Sequence, residues 1–115
     1  MADSYTIIAT RGSYTSDRTL FVDCSNLLNE GEKLVTDAGP PAYPAATTAS
    51  GLTINATTVS TTEEVINGRT VAAYESVLID VEATDAGTYT IAIFLKTDAS
   101  TPQKPILEIE LVVVA

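Results

Sequence analysis

The sequence predicts an all-β protein built as a sandwich of seven or eight short strands, and three observations carry that prediction. β-Branched residues and Tyr recur in short runs of period two. No window of a dozen residues holds an apolar stripe at i, i+3, i+4 and i+7. Turn-forming residues separate the runs at the spacing of a sandwich.

The first candidate strand is residues 5–9. In residues 19–24, Leu20, Val22 and Cys24 alternate with Phe21 and Asp23, the pattern of a half-buried strand. Residues 25–32 follow as a short helical turn, with Ser25 placed to cap it, Leu27 or Leu28 to plug the end of the sandwich, and Gly31 to supply a positive φ. Further strands are expected at 33–36 and 52–56. Between them, residues 37–51 are rich in Ala, Pro, Thr and Ser and show no strand period, so they read as a long loop. Pro40, Pro41 and Pro44 favour polyproline II and withhold backbone donors. Loops of this length are functional or disordered. This one reads either as a partner-contacting arm anchored by Tyr43 or as a solvated loop.

Ile66-Asn67-Gly68-Arg69 is the strongest hairpin signal, because a type I′ turn needs positive φ at both central positions. It pairs residues 63–66 with 69–72, and the second arm is expected to run on to residue 81. Residues 88–96 form the next strand, with Tyr89, Ile91, Ile93 and Leu95 inward. The last, residues 106–114, puts Leu107, Ile109, Leu111 and Val113 on a core face and Ile106, Glu108, Glu110, Val112 and Val114 on the other. A chain stopping on Val113-Val114-Ala115 is expected to end inside a sheet or against another subunit, which suggests self-association.

With 115 residues and 12.1 kDa, the chain fits one domain. A domain of this size buries roughly two-thirds of its unfolded surface and folds without disulfide or metal staples. There is no His, no Trp and one Cys, which rules out a Ser-His-Asp triad, a Cys-His pair and a Cys/His zinc cage within one chain. Cys24, in an apolar alternation, reads as a small buried hydrophobe.

Six basic residues against fifteen acidic ones give a net charge of -9, which repels a phosphate backbone. Arg11, Arg18, Lys33, Arg69, Lys96 and Lys104 are dispersed and form no local basic stripe. Neither nucleic acid nor an anionic membrane is an expected partner. The N-terminus has no basic and apolar signal regions, so synthesis in a cytoplasm without export is expected. No apolar run approaches the roughly 20 residues of a membrane helix.

Candidate chemistry is sparse, and neither an enzyme, a cofactor nor a metal is expected. Asp80, Glu82 and Asp85 before Gly87 faintly echo a calcium loop, but the spacing fails its ligand pattern. Glu63 with Glu64, and Glu30 with Glu32, are carboxylate pairs of the kind glycoside hydrolysis uses. With no Trp and few aromatics to line a sugar platform, they read as polar strand and loop ends. Asn55-Ala56-Thr57 matches a glycosylation acceptor by chance. Asp85-Ala86-Gly87-Thr88-Tyr89 is the D-x-G-x-Y pattern that precedes strand F in many immunoglobulin-like domains, where the Tyr hydroxyl bonds back to nearby backbone. Asp85, Gly87 and Tyr89, with Asn67 and Gly68, are therefore read as structural. The fold reading becomes an immunoglobulin-like β-sandwich over residues 17–115, preceded by an N-terminal strand or arm over residues 1–16.

With these residues in place, the chain resembles small bacteriophage virion proteins carrying an immunoglobulin-like domain. Their pattern R-x-L-x-V-D-x-S-x-x-L-x-x-G-E is similar to Arg18-Thr19-Leu20-Phe21-Val22-Asp23-Cys24-Ser25-Asn26-Leu27-Leu28-Asn29-Glu30-Gly31-Glu32. A G-L-T-V strand is similar to Gly51-Leu52-Thr53-Ile54, and an A-G-T-x-Y-x-V strand to Ala86-Gly87-Thr88-Tyr89-Thr90-Ile91. The motifs occur in the family's order across most of the chain. Cys24 stands where a Trp is common, and the Pro-rich loop replaces a short hairpin.

The resemblance implies a non-enzymatic structural protein of the virion. A capsid decoration or cement protein on the outer capsid surface is favoured, with the major capsid protein as partner and a homo-oligomer, dimer or trimer, as its state. A tail or fibre adhesin binding the host surface is the alternative, and a bacterial carbohydrate-active accessory domain a weaker third. The expected contact elements are the segment up to Ser16, the loop with Pro40 and Pro41, and the last strand with Val114. Tyr5, Tyr14 and Tyr43 are the expected anchors, since Tyr offers large contact area at low entropy cost.

Overall fold

The computed structural model describes residues 2–10, 17–48, 50–83 and 86–114. These residues are almost entirely β. Nine strands run in chain order: β1 (Ala2–Thr10), β2 (Asp17–Asp23), β3 (Ala45–Thr48), β4 (Leu52–Val59), β5 (Glu64–Ile66), β6 (Arg69–Val71), β7 (Ser76–Ala83), β8 (Gly87–Phe94) and β9 (Ile106–Val114). One sheet has the order β1-β9-β8-β3, a second the order β2-β7-β4, and β5 with β6 forms a separate hairpin. All pairs are antiparallel except β1 with β9, which is parallel.

Alternation along the strands builds the core, because successive side chains leave a strand on opposite faces. On β8, Tyr89, Ile91 and Ile93 are buried, and on β9 so are Leu107, Ile109, Leu111 and Val113. Leu20 and Val22 of β2, Val77, Ile79, Val81 and Ala83 of β7, and Leu52 and Val59 of β4 complete the same cluster. One face of each sheet therefore lines a single core. Burying each such Val, Leu or Ile side chain contributes about 1.5–3 kcal/mol before the entropy of ordering is subtracted.

Several local expectations hold. Asn67 and Gly68 have φ of 52° and 77°, and the register Ile66↔Arg69 closes the expected hairpin. Gly31 has φ 79°, and residues Ser25–Leu27 form one 3-10 turn. Cys24 is fully buried, its Sγ donating to the Val22 carbonyl at 3.6 Å. Burial and then the neighbouring Asp23 charge push its thiol pKa up to about 12.

Four expectations are corrected. Residues 33–36 form no strand, because their backbone bonds divide among separate segments: the Leu34 N–H donates to Tyr74 and the Val35 N–H to Lys96. The run 69–81 is two strands, β6 and β7, broken where Tyr74 adopts φ 64°. The loop 37–51 contains β3, which begins directly after Pro44 and pairs with the edge of β8 from Ala45↔Phe94 to Thr48↔Ile91. Ser25 does not cap the 3-10 turn; Asp23 Oδ1 accepts both the Ser25 N–H at 2.9 Å and its hydroxyl at 2.6 Å.

Tyr89, near the start of β8, is buried. Its ring lies against Gly51, whose φ is 99° and where an added Cβ would stand 3.0 Å from the Tyr89 Oη and 3.1 Å from Cε1. Gly51 thus meets two demands at once, a left-handed backbone and a close approach by a buried ring. Gly51→Ala is expected to destabilise the fold by about 1–3 kcal/mol, read from the urea midpoint at unchanged m-value. Native Cys24 is expected to stay unreactive toward a disulfide reagent such as DTNB until denaturant is added, with labelling tracking unfolding; prompt native labelling would contradict its burial.

Candidate functional site

Register places three connecting segments at one end of the two sheets. Asp23↔Ser76, Val59↔Val77, Ala45↔Phe94 and Phe94↔Ile106 mark that end, from which residues 24–44, 60–75 and 95–105 emerge. Backbone bonds join them. Leu34 N–H donates to the Tyr74 carbonyl at 2.9 Å, Val35 N–H to Lys96 at 3.0 Å, Asp98 N–H to Lys33 at 2.9 Å and Cys24 N–H to Glu75 at 2.9 Å. Side chains add to this: the Lys33 N–H donates to Asp98 Oδ1 at 2.8 Å, and Lys33 Nζ pairs with Glu75 at 2.6 Å. Leu34, 2% exposed, is buried beneath the junction. The loop end is consequently one continuous surface.

The proline segment is tethered to that surface. Asp37 and Tyr43 exchange backbone bonds of 2.9 and 2.8 Å, so the chain between them forms a closed turn presenting Pro40 and Pro41 to solvent, with Tyr43 half-buried. Gly39, at φ 72°, could not carry a Cβ without overlapping the Pro41 carbonyl group. Asp37 Oδ1 accepts the Gly39 N–H at 2.9 Å, and its Oδ2 pairs with Lys96 at 2.5 Å. The Lys96 hydrogen bond, then the Gly39 N–H, then the Lys96 charge hold the Asp37 carboxyl below its ordinary pKa.

The sequence-predicted contact residues do not form one patch. Pro40, Pro41 and Tyr43 share the loop end. Val114 is in register with Thr10 at the far end of β9, and that strand is paired on both sides, so its backbone offers no free edge. Tyr5 is in register with Ile109, a core residue. Tyr14 and Asp85 lie outside the described residues. Gly87 opens β8.

Tyr74 was not foreseen as a surface residue. It is 45% exposed and lines a cavity of about 410 Å³ with Lys33, Leu34, Val35, Thr36, Val59, Thr61 and Asp98. Nothing local reveals it, since a Tyr in a β-rich run reads as strand. Val65, 70% exposed, stands on the β5–β6 hairpin. A second cavity of about 350 Å³ lies between the 3-10 turn and residues 103–105.

The carboxylate pairs are occupied by local structure. Glu64 Oε2 accepts the hydroxyls of Ser60 at 2.8 Å and Thr62 at 3.1 Å, and Glu32 Oε1 accepts the Asn29 N–H at 2.9 Å. Among the described residues no group of three or more His, Cys, Asp or Glu side chains is arranged to hold a metal, and no helix is long and apolar enough to cross a membrane.

No protein-family model matches this chain, and no curated protein matches it. The solution structure of amebosin aligns over 96% of this chain and 95% of that one at 12% identity, with a TM-score of 0.35, a likeness too slight to assign fold or function.

The Asp37–Lys96 tether has a defined pH dependence. Because the folded-state pKa is depressed, its contribution is fully present above the ordinary Asp value of about 3.9 and is lost as pH falls through the lower folded value. The Gly39 amide proton shift, followed by NMR, is expected to titrate with a midpoint below that of an exposed Asp, and Lys96→Met to move that midpoint upward. An unchanged midpoint in the variant would remove Lys96 as the cause.

Proposed function

We propose that this chain is a non-enzymatic structural protein of a bacteriophage virion, an immunoglobulin-like sandwich that decorates the outer capsid surface and cements it. Strand order supports the fold part of the reading. In immunoglobulin-type sandwiches strands B, E and D share one sheet and C, F and G the other. The orders β2-β7-β4 and β3-β8-β9 correspond to those sets, with β1 joined in parallel to the last strand.

The observation that carries the functional part is the ordered resemblance of three motifs to virion proteins, each landing on a distinct structural element. The first spans β2 and the 3-10 turn, with Leu20 and Val22 buried and Asp23 holding the turn; the second opens β4, and the third opens β8 with Tyr89 buried. Fold motifs travel between functions, so the assignment to the capsid is tested at the particle.

Electrostatics agree with an exterior coat. Lys33, Arg69 and Lys96 are held in ion pairs with Glu75, Asp23 and Asp37, which leaves most of the fifteen carboxylates to set an anionic surface. The partner is the major capsid protein, contacted by the loop end with Pro40, Pro41 and Tyr43. Edge strand β2 carries Phe21, 43% exposed, which supports self-association as a dimer or trimer. A cement protein works by adding buried area across subunit joints, so that modest contacts multiply through valency.

Cosedimentation with capsids lacking the protein is expected to show saturable binding at hundreds of copies and a raised rupture temperature. Binding to host cells in place of capsids would overturn this reading and assign a tail or fibre adhesin.

A further inference from the structure

β2 is an outer strand of its sheet, and its ladder to β7 fixes which of its backbone groups are in use. The Cys24 N–H donates to the Glu75 carbonyl at 2.9 Å, one step past the register pair Asp23↔Ser76. Bonded and non-bonded pairs alternate in an antiparallel ladder, and this register runs without a bulge. Leu20 and Val22 are therefore bonded to β7, while the N–H and C=O of Thr19, Phe21 and Asp23 point away from it. Those groups make no backbone hydrogen bond among the described residues, and Thr19 and Phe21 are exposed.

Two other outer strands are blunted against pairing with another chain. β3 is four residues long and follows directly on Pro44, and β4 carries a bulge between Ile54 and Ala56. β2 has neither device: it has seven residues, no proline or lysine, and an uncharged stretch from Thr19 to Val22. Phe21, 43% exposed, stands beside its half-buried register partner Leu78. Pairing parity then selects how a second β2 can lie antiparallel across a two-fold axis, because outward-pointing residues bond only to outward-pointing residues. Phe21 opposite Asp17 or Asp23 sets an aromatic position against an acidic one. Phe21 opposite Thr19 sets acidic position 17 against acidic position 23, and like charges directly opposite are destabilising. Phe21 opposite Phe21 avoids both conflicts, sets Thr19 against Asp23, and joins Phe21 and Leu78 of both copies into one apolar row.

We propose that this chain forms a two-fold dimer by pairing β2 with β2 of a second copy, Phe21 facing Phe21 on the axis and Thr19 facing Asp23, so that the two β2-β7-β4 sheets become one continuous sheet. The proposal deepens the self-association in the proposed function and rests on that part of it alone. An isologous pairing closes at two copies, so the state is a dimer and not a trimer. Asp23 keeps its side-chain bonds to Ser25 and Arg69, since the ladder uses only its backbone. Position 17 falls opposite Ser25, where the chain has left the strand for the 3-10 turn, so the new ladder spans Thr19 to Asp23. So short a ladder places the interface among the small, weak ones, formed in proportion to concentration.

The test is sedimentation equilibrium of the full chain over a wide concentration range, with amide hydrogen exchange followed by NMR on the same samples. A monomer–dimer equilibrium is expected, in which exchange at Thr19, Phe21 and Asp23 slows as the dimer fraction rises while Leu20 and Val22, bonded to β7, stay protected throughout. Phe21→Lys sets like charges on the axis at an exposed position that the fold does not need, and is expected to weaken the dimer by at least about tenfold. Under mild oxidation, with Cys24 buried, Phe21→Cys is expected to cross-link to its own copy and Thr19→Cys is not, because the two residues 19 stand roughly 14 Å apart, beyond disulfide reach. A monomer at every concentration, a trimer or an open-ended polymer, fast exchange at Phe21 in a dimeric sample, undiminished dimerisation of Phe21→Lys, or equal cross-linking of the two Cys variants would each overturn the proposal. Capsid cosedimentation reads the other half of the function separately: a monomer that still binds capsids strikes the dimer alone, and a dimer that binds none strikes the virion reading alone.

Discussion

β9 is paired along both edges, parallel to β1 on one side and antiparallel to β8 on the other, and most of the molecule follows from that double pairing. It satisfies the strand's backbone donors and acceptors while one face presents Leu107, Ile109, Leu111 and Val113 to the core. β8 then carries Tyr89, Ile91 and Ile93 onto the same face and offers its far edge to β3. The sheet β2-β7-β4 closes over these residues with Val22, Val77, Ile79 and Val81. Because β8 and β9 are joined by residues 95–105, their register also decides where Lys96, Asp98 and Lys104 meet the rest of the chain.

The loop end is held by a different kind of interaction. Around Leu34 the backbone serves two neighbouring segments at once, and the Lys33 side chain reaches a third residue, Glu75. Tyr74 is kept at φ 64° by its N–H bond to Ser60 and by the Leu34 N–H on its carbonyl. A left-handed non-Gly residue persists only where surrounding bonds over-determine it. Three cations of this region, Lys33, Lys96 and Arg69, are consumed internally by Glu75, Asp37 and Asp23, while Lys104 stands exposed. A partner of the loop end therefore meets prolines, half-buried Tyr43, exposed Tyr74 and uncompensated carboxylates.

Much of the architecture was legible because its signals are local. The Asn67-Gly68 turn, the inward faces of β8 and β9, the burial of Cys24 and the positive φ at Gly31 all follow from neighbouring residues. The exposed prolines were legible for the same reason, as Pro40 and Pro41 cannot join a ladder. β3 was hidden behind them, since Ala45-Ala46-Thr47-Thr48 has little strand character until the open edge of β8 provides partners. The Ser25 cap was misassigned because Asp23 and Ser25 both carry side chains of the capping type, and only geometry shows Ser25 inside the turn, its N–H and hydroxyl both donating to Asp23. Glu32 read as half of an acidic pair; its burial depends on residues distant in sequence coming to lie beside the 3-10 turn.

The sequence by itself determined the class of fold, the inward faces of β8 and β9, the tight turns and the anionic balance, since each depends on side-chain alternation, backbone preference or a sum over residues. Tertiary structure alone decided that β1 runs parallel to β9, that three segments far apart in sequence join at one end, that Tyr74 is exposed and that one oxygen of Glu32 is left without a donor. Those outcomes depend on which elements become neighbours. Pairing partners are selected by the free energy of the whole packed core, and no window of adjacent residues contains that comparison.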